Sequence, residues 1–566
     1  MMNFQWRPYN VPVLAIAILL GCGTSASTTS STTPLVIETY QNGLKPSGPV
    51  DAKDLGSLLK LSGARGETLN FTLQIRTQDC VELSLSSLSL SGTSAAHAIF
   101  PATFKRVLPY ESNQRSFAAA RIGTHWDALV PMNRYCPNGV NPQGGGPTAW
   151  ILGEFKIPKD AKPGTYTGKV YASFLASGLA GGLTHPTDLP VEVKVWPMTM
   201  PDRPSMPLYS ELTTWFLLLG HYGKWHEGES ALAQKYIQNM LEHRMLPLKN
   251  WVGDVDPRKL SQESAPNSSG DTFYSTLVKP LPAWASFTIP MVDKKASPAA
   301  IQSYFSVFER SLRREHLLDR SFLYFWDEPT HEEFPAFKRL AKQIKAAAPG
   351  IKILATVNYE PSIDSLIDVF VPVMDLFDRK GYATPETYLK LKKAGKEFWL
   401  YTSCMSHGCT NDQDSGSPDW VIDRTGPYVR AQAWVGMLYQ ANGLLYYSVD
   451  NAFQYNREGP DARDPWKTLW DFTGHGDGTL YYPGRPGLHG LTEHQPVESL
   501  RLKLWRQSSY DAEYIQWMNQ LQSPPAWWKP DFDKMVKSTH EWSKSDRDYQ
   551  KIREKMGDYL SSAGVN

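Results

Sequence analysis

The sequence predicts a multidomain β plus α/β protein: an N-terminal β-sandwich, then a TIM-type (β/α)8 barrel, then a C-terminal helical tail. Three observations carry this. Between Leu35 and Trp196 the apolar residues recur with a period of two, as in half-buried strands. Residues 197–207 then hold four spaced prolines, which forbid regular structure and stiffen a linker. Beyond it, short apolar runs alternate with helical patterns, the signature of a parallel sheet with crossover helices.

In the first part, Leu69, Phe71, Leu73 and Ile75 alternate with Asn70, Thr72, Gln74 and Arg76. Tyr166, Val170, Ala172 and Phe174 share one side of another strand, entered through the turn at 160–164. Leu189, Val191, Val193 and Val195 close the set, and the glycine-rich stretch 139–146 reads as a loop. Several alternating strands parted by Gly/Pro turns argue a sandwich over 35–196. It holds no acid/base cluster, so it reads as a spacer or packing partner.

In the second part, strands are expected at 208–209, 246–251, 286–289, 322–326, 351–357, 369–373, 398–402 and 444–449. Helices fit at 229–243, 298–316, 331–348, 362–366, 385–394 and 427–441, with a last helix at 497–520. Such strand–helix units match a barrel spanning 208–522. In the tail, 523–566, one charged amphipathic helix is expected at 531–560, packed on the barrel's outside.

Composition narrows the class. The chain has 566 residues, 41% hydrophobic and 20% charged, with a formal charge of +1. This gives no electrostatic case for a nucleic-acid partner. With 19 Trp and 27 Tyr it is rich in the aromatic faces on which sugar rings stack, although aromatics also fill cores.

Arg7 precedes an apolar run, 11–20, that is too short to span a bilayer. The run ends Leu19-Leu20-Gly21-Cys22, which resembles a bacterial lipobox, with Cys22 as the residue to be lipidated after removal of 1–21. Residues 22–34 then form a Ser/Thr-rich tether. The expectation is an exported protein, lipid-anchored to the bacterial cell envelope at the outer membrane or cell surface, with an incidental cysteine after a plain signal as the alternative. Cys80, Cys136, Cys404 and Cys409 permit two disulfides in an oxidising compartment. Metal binding competes, but no CxxC or HxxxH spacing supports it.

The most informative stretch is 321–330, S-F-L-Y-F-W-D-E-P-T. An unbroken apolar run reads as a strand buried on both faces. It meets Asp327 and Glu328 at once, followed by Pro329 and a helical pattern. In parallel α/β folds the carboxyl ends of strands carry the chemistry. Thr330 and Glu333 have capping-box spacing, and acidic residues also favour a helix N-terminus, so a structural use competes with catalysis.

Around the other strand ends stand Trp215, Trp251, Asn358, Tyr359, Asp375, Tyr401 and Tyr447, with Glu211, Asn250, Asp378, Asp450 and Asn451. That ring has hardly a basic residue, which suits a neutral polyhydroxylated ligand and not a phosphorylated one. Two carboxylates that flank a glycosidic bond must come from separate sites, whereas neighbours on an extended strand face opposite ways. The adjacent pair fits substrate-assisted cleavage, in which a sugar's own 2-acetamido oxygen attacks the anomeric carbon.

F-W-D-E-P at 325–329 resembles the active-site strand of glycoside hydrolase family 123, the β-N-acetylgalactosaminidases. Further stretches are similar to the C-terminal domain of that family and its relatives: 430–448 ending G-L-L-Y-Y-S, Asp464-Pro465-Trp466, 476–480 with Tyr482-Pro483-Gly484, and 497–501. The resemblance implies that Glu328 is the acid/base and Asp327 steadies the acetamido-derived intermediate, without metal or cofactor. It also implies pocket aromatics and amides, for which Asn358, Tyr359, Tyr401 and Tyr447 are candidates by position. The loop 404–419 and the insertion 261–271 have no counterpart in the resemblance. Two other readings stand beside it: a glycosidase on a sugar without an acetamido group, pairing Glu328 with Asp375 or Asp450, and a non-catalytic glycan-binding surface lipoprotein.

Overall fold

The computed structural model describes residues 35–566 apart from 48–49, 92–96, 99, 133, 137–147, 175–183, 225, 227–228, 249–277, 292–294, 403–408, 411–412 and 415. The lipobox, the tether, the glycine-rich loop, Asn250, Trp251, Cys404 and the insertion 261–271 therefore lie outside the described residues.

Eight parallel strands form the α/β part. These are β1 (Leu208–Ser210), β2 (Met245–Pro247), β3 (Phe287–Ile289), β4 (Ser321–Trp326), β5 (Lys352–Ala355), β6 (Val369–Phe370), β7 (Glu397–Thr402) and β8 (Gly443–Tyr446). Their order is β2-β1-β8-β7-β6-β5-β4-β3, so the sheet runs sequentially round a barrel that is nearly closed. β2 and β3 are the two strands without a mutual ladder among the described residues. The strands are buried on both faces, which is why they read as continuous apolar runs instead of alternating ones.

Helices Glu229–Glu242, Pro298–Arg314, Phe334–Ala347, Pro385–Lys393 and Gly426–Leu438 lie where periodicity places them. A further helix, Thr214–Tyr222, follows β1. Leu217, Leu218 and Leu219 are all buried, so it lacks the polar face that sequence periodicity detects. The helix expected at 362–366 is only the single turn Asp364–Leu366. The one expected at 497–520 starts at Leu500, because Gln495–Ser499 is a strand.

The N-terminal part holds two sheets. One is ordered Leu59–Arg65, Thr184–Thr199, Gly164–Phe174, Leu88–Leu90, His97–Ala98, with Val81–Leu85 also on Gly164–Phe174. The other contains Val36–Tyr40, Thr68–Arg76, Thr148–Lys156, Ala102–Ser112 and Gly123–Pro131, and ends on two strands from late in the chain, Gln495–Ser499 and Tyr482–Gly484. Leu69, Phe71, Leu73 and Ile75 pack with Val170, Val191 and Val193 between the sheets. A disulfide joins Cys80 to Cys136.

The polar side of Thr68–Arg76 turns away from water at Asn70 and Thr72. Asn70 and Thr72 are buried, and Asn70 accepts from Arg506 Nη2 at 3.0 Å. Lys503 and Arg506, on helix Leu500–Gln520, also reach Glu154. Arg501, at the start of that helix, donates from Nη2 to Asp127 Oδ2 at 2.8 Å and from Nη1 to the carbonyls of Gly476 at 2.7 Å and Trp420 at 3.1 Å. The sandwich is thus joined to the barrel by a buried ionic face, in keeping with a packing partner.

The tail differs from expectation in two ways. It forms two helices, Trp528–Met535 and Asp546–Ser562, parted by a turn in which Ser538 Oγ accepts from Glu541 N–H at 2.8 Å. Such side-chain bonds compete with helix continuation. The second helix lies against the sandwich and Leu500–Gln520, not simply the barrel's outside. Trp196 Nε1 donates to Asp558 at 2.8 Å, and a Cβ on Gly557 would stand 2.4 Å from the Trp196 ring, so only glycine permits this approach.

Candidate active site

β4 ends at Trp326, and its register against β5 slips between Tyr324 and Trp326. Such an irregularity re-aims the side chains that follow it. Asp327 and Glu328 come directly after, outside the strand, and both are exposed. Glu328 has φ 42°, in the left-handed region. A non-glycine residue there costs about 1–3 kcal/mol and is held by its surroundings. Here its N–H donates to Thr356 Oγ1 at 2.8 Å. The extended alternation expected for the pair is therefore replaced by a bend.

Two hydroxyls meet on one oxygen of Asp327. Tyr324 donates to Oδ1 at 2.6 Å and Thr356 at 2.9 Å. Burial, then the charge of Asp327, pushes the Tyr324 phenol well up, so it stays a donor. Both bonds fall on Oδ1, and among the described residues Oδ2 is left to accept from a ligand. On the other carboxylate, Tyr401 at the end of β7 donates to Glu328 Oε1. Thr330 and Glu333 do form the capping box, with Thr330 N–H donating to Glu333 Oε2 at 2.9 Å. That accounts for the helix start without using either Asp327 or Glu328.

A cavity of about 500 Å³ opens beside Glu328, lined also by Asn358, Tyr359 and Tyr401. Tyr447 does not line this cavity. Its phenol is pushed up by burial first and then by the carboxylates of Glu211, Asp450, Asp471 and Asp327, and it donates to Asn451 Oδ1 at 3.0 Å. Trp215 is 39% exposed at the first turn of Thr214–Tyr222 and does not line the cavity.

Three acidic positions turn out to be structural. Asp375 is buried, takes Arg379 Nη2 on Oδ1 at 3.0 Å and does not line the cavity, so it is not brought to the site. Asp378 accepts from Tyr439 at 2.6 Å and from Thr539 Oγ1 at 2.7 Å, fastening the tail. Asp450 is fully buried and accepts Thr213 N–H at 2.9 Å. Burial holds its carboxyl well above the usual carboxylate range, with nearby Glu211 adding to the rise.

Sequence reasoning missed Tyr324 and Thr356. Tyr324 was legible as the polar-tipped residue within the apolar run of β4. Thr356 had no signal, because its role depends on β5 lying beside β4. Among the described residues no three of His, Cys, Asp and Glu converge to hold a metal ion.

Residues 288–518 match the family model for the glycoside hydrolase 123 catalytic domain. The structure is similar to a solved family 123 glycoside hydrolase from Clostridium perfringens, described for glycolipid glycan hydrolysis. The two share 13% identity at a TM-score of 0.66, over 94% of this chain and 100% of that one. A β-glucuronidase from Ruminococcus gnavus aligns at 8% identity and a TM-score of 0.26, covering 84% of this chain and 98% of that one. No curated protein matches.

Proposed function

We propose that the chain, a glycosidase whose residues 288–518 match the glycoside hydrolase 123 catalytic domain, releases β-linked N-acetylgalactosamine by a retaining, substrate-assisted route. One observation carries the proposal: Asp327 and Glu328 are adjacent, yet their carboxylates take different donors, Tyr324 and Thr356 on the first and Tyr401 on the second. Neither distant carboxylate favours the reading without an acetamido group, since Asp375 is paired with Arg379 and Asp450 is sealed from solvent.

In this reading Asp327 Oδ2 accepts the acetamido N–H and so aims the acetamido oxygen at the anomeric carbon. That oxygen forms the new C–O bond as the glycosidic C–O bond breaks, and Glu328 gives its proton to the departing oxygen. The negative charge of Asp327 steadies the oxazolinium cation. Glu328, now ionised, takes a proton from water as the water oxygen attacks the anomeric carbon. The C–O bond to the acetamido oxygen breaks, which returns the acetamide and retains the anomeric configuration.

The test is turnover of 4-nitrophenyl β-N-acetylgalactosaminide by the chain from about residue 34 onward, beside Glu328→Gln and Asp327→Asn. Each change is expected to lower the rate by about 10²–10⁴-fold. A folded parent that is inert on this substrate but active on an aryl glycoside lacking the acetamido group would sink the proposal.

The chain's setting is part of the same reading. Cys22 would anchor the exported enzyme by lipid, with the 22–34 tether presenting it to glycans at the cell envelope. Lipid labelling that persists in Cys22→Ser would refute the anchor.

A further inference from the structure

We propose that the barrel carries a second glycan site at the end away from Asp327 and Glu328, and that it takes a sugar bearing a carboxylate or a sulfate. The cavity there has a volume of about 900 Å³, towards the top of the roughly 300–1,000 Å³ common for small-ligand sites. Pro207, just before β1, and Asn442, just before β8, both line it. The parallel strands therefore begin at this cavity, whereas the two carboxylates follow the end of β4. A six-residue strand such as β7 spans about 20 Å, so a sugar held here does not reach the catalytic pair.

The charge of the wall selects the ligand. Arg203 of the linker, Lys392 of helix Pro385–Lys393 and Lys529 of helix Trp528–Met535 line the cavity, and no Asp or Glu stands among its described lining residues. Lys529 reaches Asp533, but both are exposed, and such a pair contributes little. Lys392 Nζ donates to the Gln440 carbonyl at 2.7 Å and has no ion pair among the described residues. Burial holds its ammonium below the usual range, against an opposing pull from Glu397. A bound anion supplies the missing counter-charge.

Two amides add donors. Asn519 Oδ1 accepts Trp528 Nε1–H at 3.0 Å, and Asn442 Oδ1 accepts Phe398 N–H at 3.3 Å. Indole and backbone N–H groups only donate, so these bonds tie each amide's oxygen to the protein and leave its NH2 as the open end. The linker is set in place beforehand: Ser205 gives its N–H to Glu513 Oε1 at 2.8 Å and its hydroxyl to Oε2 at 2.6 Å. Trp528 and Phe532, the aromatic residues of the wall, are buried, so they offer no open slot to an acyl chain. Amides beside cations suit the hydroxyls and the anionic substituent of an acidic sugar. In a glycosidase, such a site keeps an acidic glycan on the enzyme while another part of it meets the catalytic pair. It also gives the linker and the tail a task beyond packing.

The experiment is titration calorimetry on the chain and its Arg203→Gln/Lys392→Gln variant. The probes are hexasaccharides of unsulfated chondroitin, of chondroitin 4-sulfate and, as the neutral control, of chitin. The acidic probes are expected to bind more weakly as salt is added, and the variant to lose about tenfold or more in affinity for them. Arg203→Lys/Lys392→Arg should keep that affinity. Loss confined to one acidic probe supports the site and names the substituent. No binding of either acidic probe, an affinity left within about twofold by the variant, or an equal loss for chitohexaose overturns the proposal. Phosphatidylglycerol vesicles bound through the same cations, with no glycan bound, would overturn it in favour of a lipid surface. Turnover of 4-nitrophenyl β-N-acetylgalactosaminide should be the same in parent and variants, which checks their fold. A parent inert on that substrate yet binding the acidic probes through these cations would remove the N-acetylgalactosamine reading and leave the second site supported.

Discussion

The hydroxyl of Thr356 donates to Asp327 Oδ1 at 2.9 Å, and Thr356 Oγ1 in turn accepts the N–H of Glu328 at 2.8 Å. One side chain just after β5 therefore sets both the orientation of one carboxylate and the left-handed backbone that carries the other.

Thr356→Val keeps the shape and removes both bonds. It is expected to lower kcat by about 10–100-fold, the scale of losing sub-ångström alignment, with KM changed far less. Thr356→Ser should restore most of the rate. Equal loss in both variants would show that packing, not the hydroxyl, matters.

Tyr401→Phe removes the donor to Glu328 Oε1. Activity is expected to fall by about tenfold, one hydrogen bond to a charged group, with the fold unchanged by circular dichroism. Full activity would exclude Tyr401 from positioning the acid.

Arg501 and Asp127 are both fully buried, and burial of the ion pair is offset by hydrogen bonds from the guanidinium to Asp127 and to the carbonyls of Trp420 and Gly476. Arg501→Met leaves Asp127 uncompensated between sandwich and barrel. Denaturant unfolding should register a loss of about 3–5 kcal/mol. A loss under about 1 kcal/mol would mean that the interface does not depend on this pair.

Asp546 starts the last helix with Oδ1 shut off from solvent and unpartnered, and burial pushes its carboxyl up to about 7 against opposing pulls from Arg430 and Lys45. A raised carboxyl keeps its proton in the folded state while the unfolded chain has released it. Its contribution is therefore neutral below the unfolded pKa of about 4, grows more destabilising up to about pH 7 and stays constant above. Asp546→Asn should match the parent's melting temperature near pH 4 and exceed it at pH 8. A difference that does not change with pH would refute the assignment.

The disulfide Cys80–Cys136 closes a loop with a sequence separation of 56. Replacing both cysteines by serine should cost about 2–4 kcal/mol, read by thermal unfolding in oxidising buffer. An unchanged melting temperature would place the bridge outside the stability of the sandwich.

The barrel was legible because its strands are short, apolar and buried on both sides, while most of its helices keep one polar face. Thr214–Tyr222 escaped because its sequence carries no polar face, and the tail was read as one helix because the turn at Ser538 acts through side-chain bonds that periodicity does not register. The sandwich's polar alternation was read correctly as strands, but not as a surface built to meet Lys503 and Arg506, since those residues lie more than 400 positions away from Asn70.

By itself the sequence determined the order of the parts and the two carboxylates at the end of β4, because both follow from local pattern: apolar period, prolines and an acidic pair against a buried run. Only the tertiary structure decided what holds those carboxylates. Thr356 reaches them from just after β5, the strand paired with β4, and Tyr401 from β7, three strands away in the sheet, and Glu328 takes a backbone conformation that its neighbours in sequence do not impose. Asp375 and Asp450 show the converse, acidic residues near strand ends that packing turned to structural use. Contacts between distant strands are settled by packing of the whole core, and no local pattern encodes them.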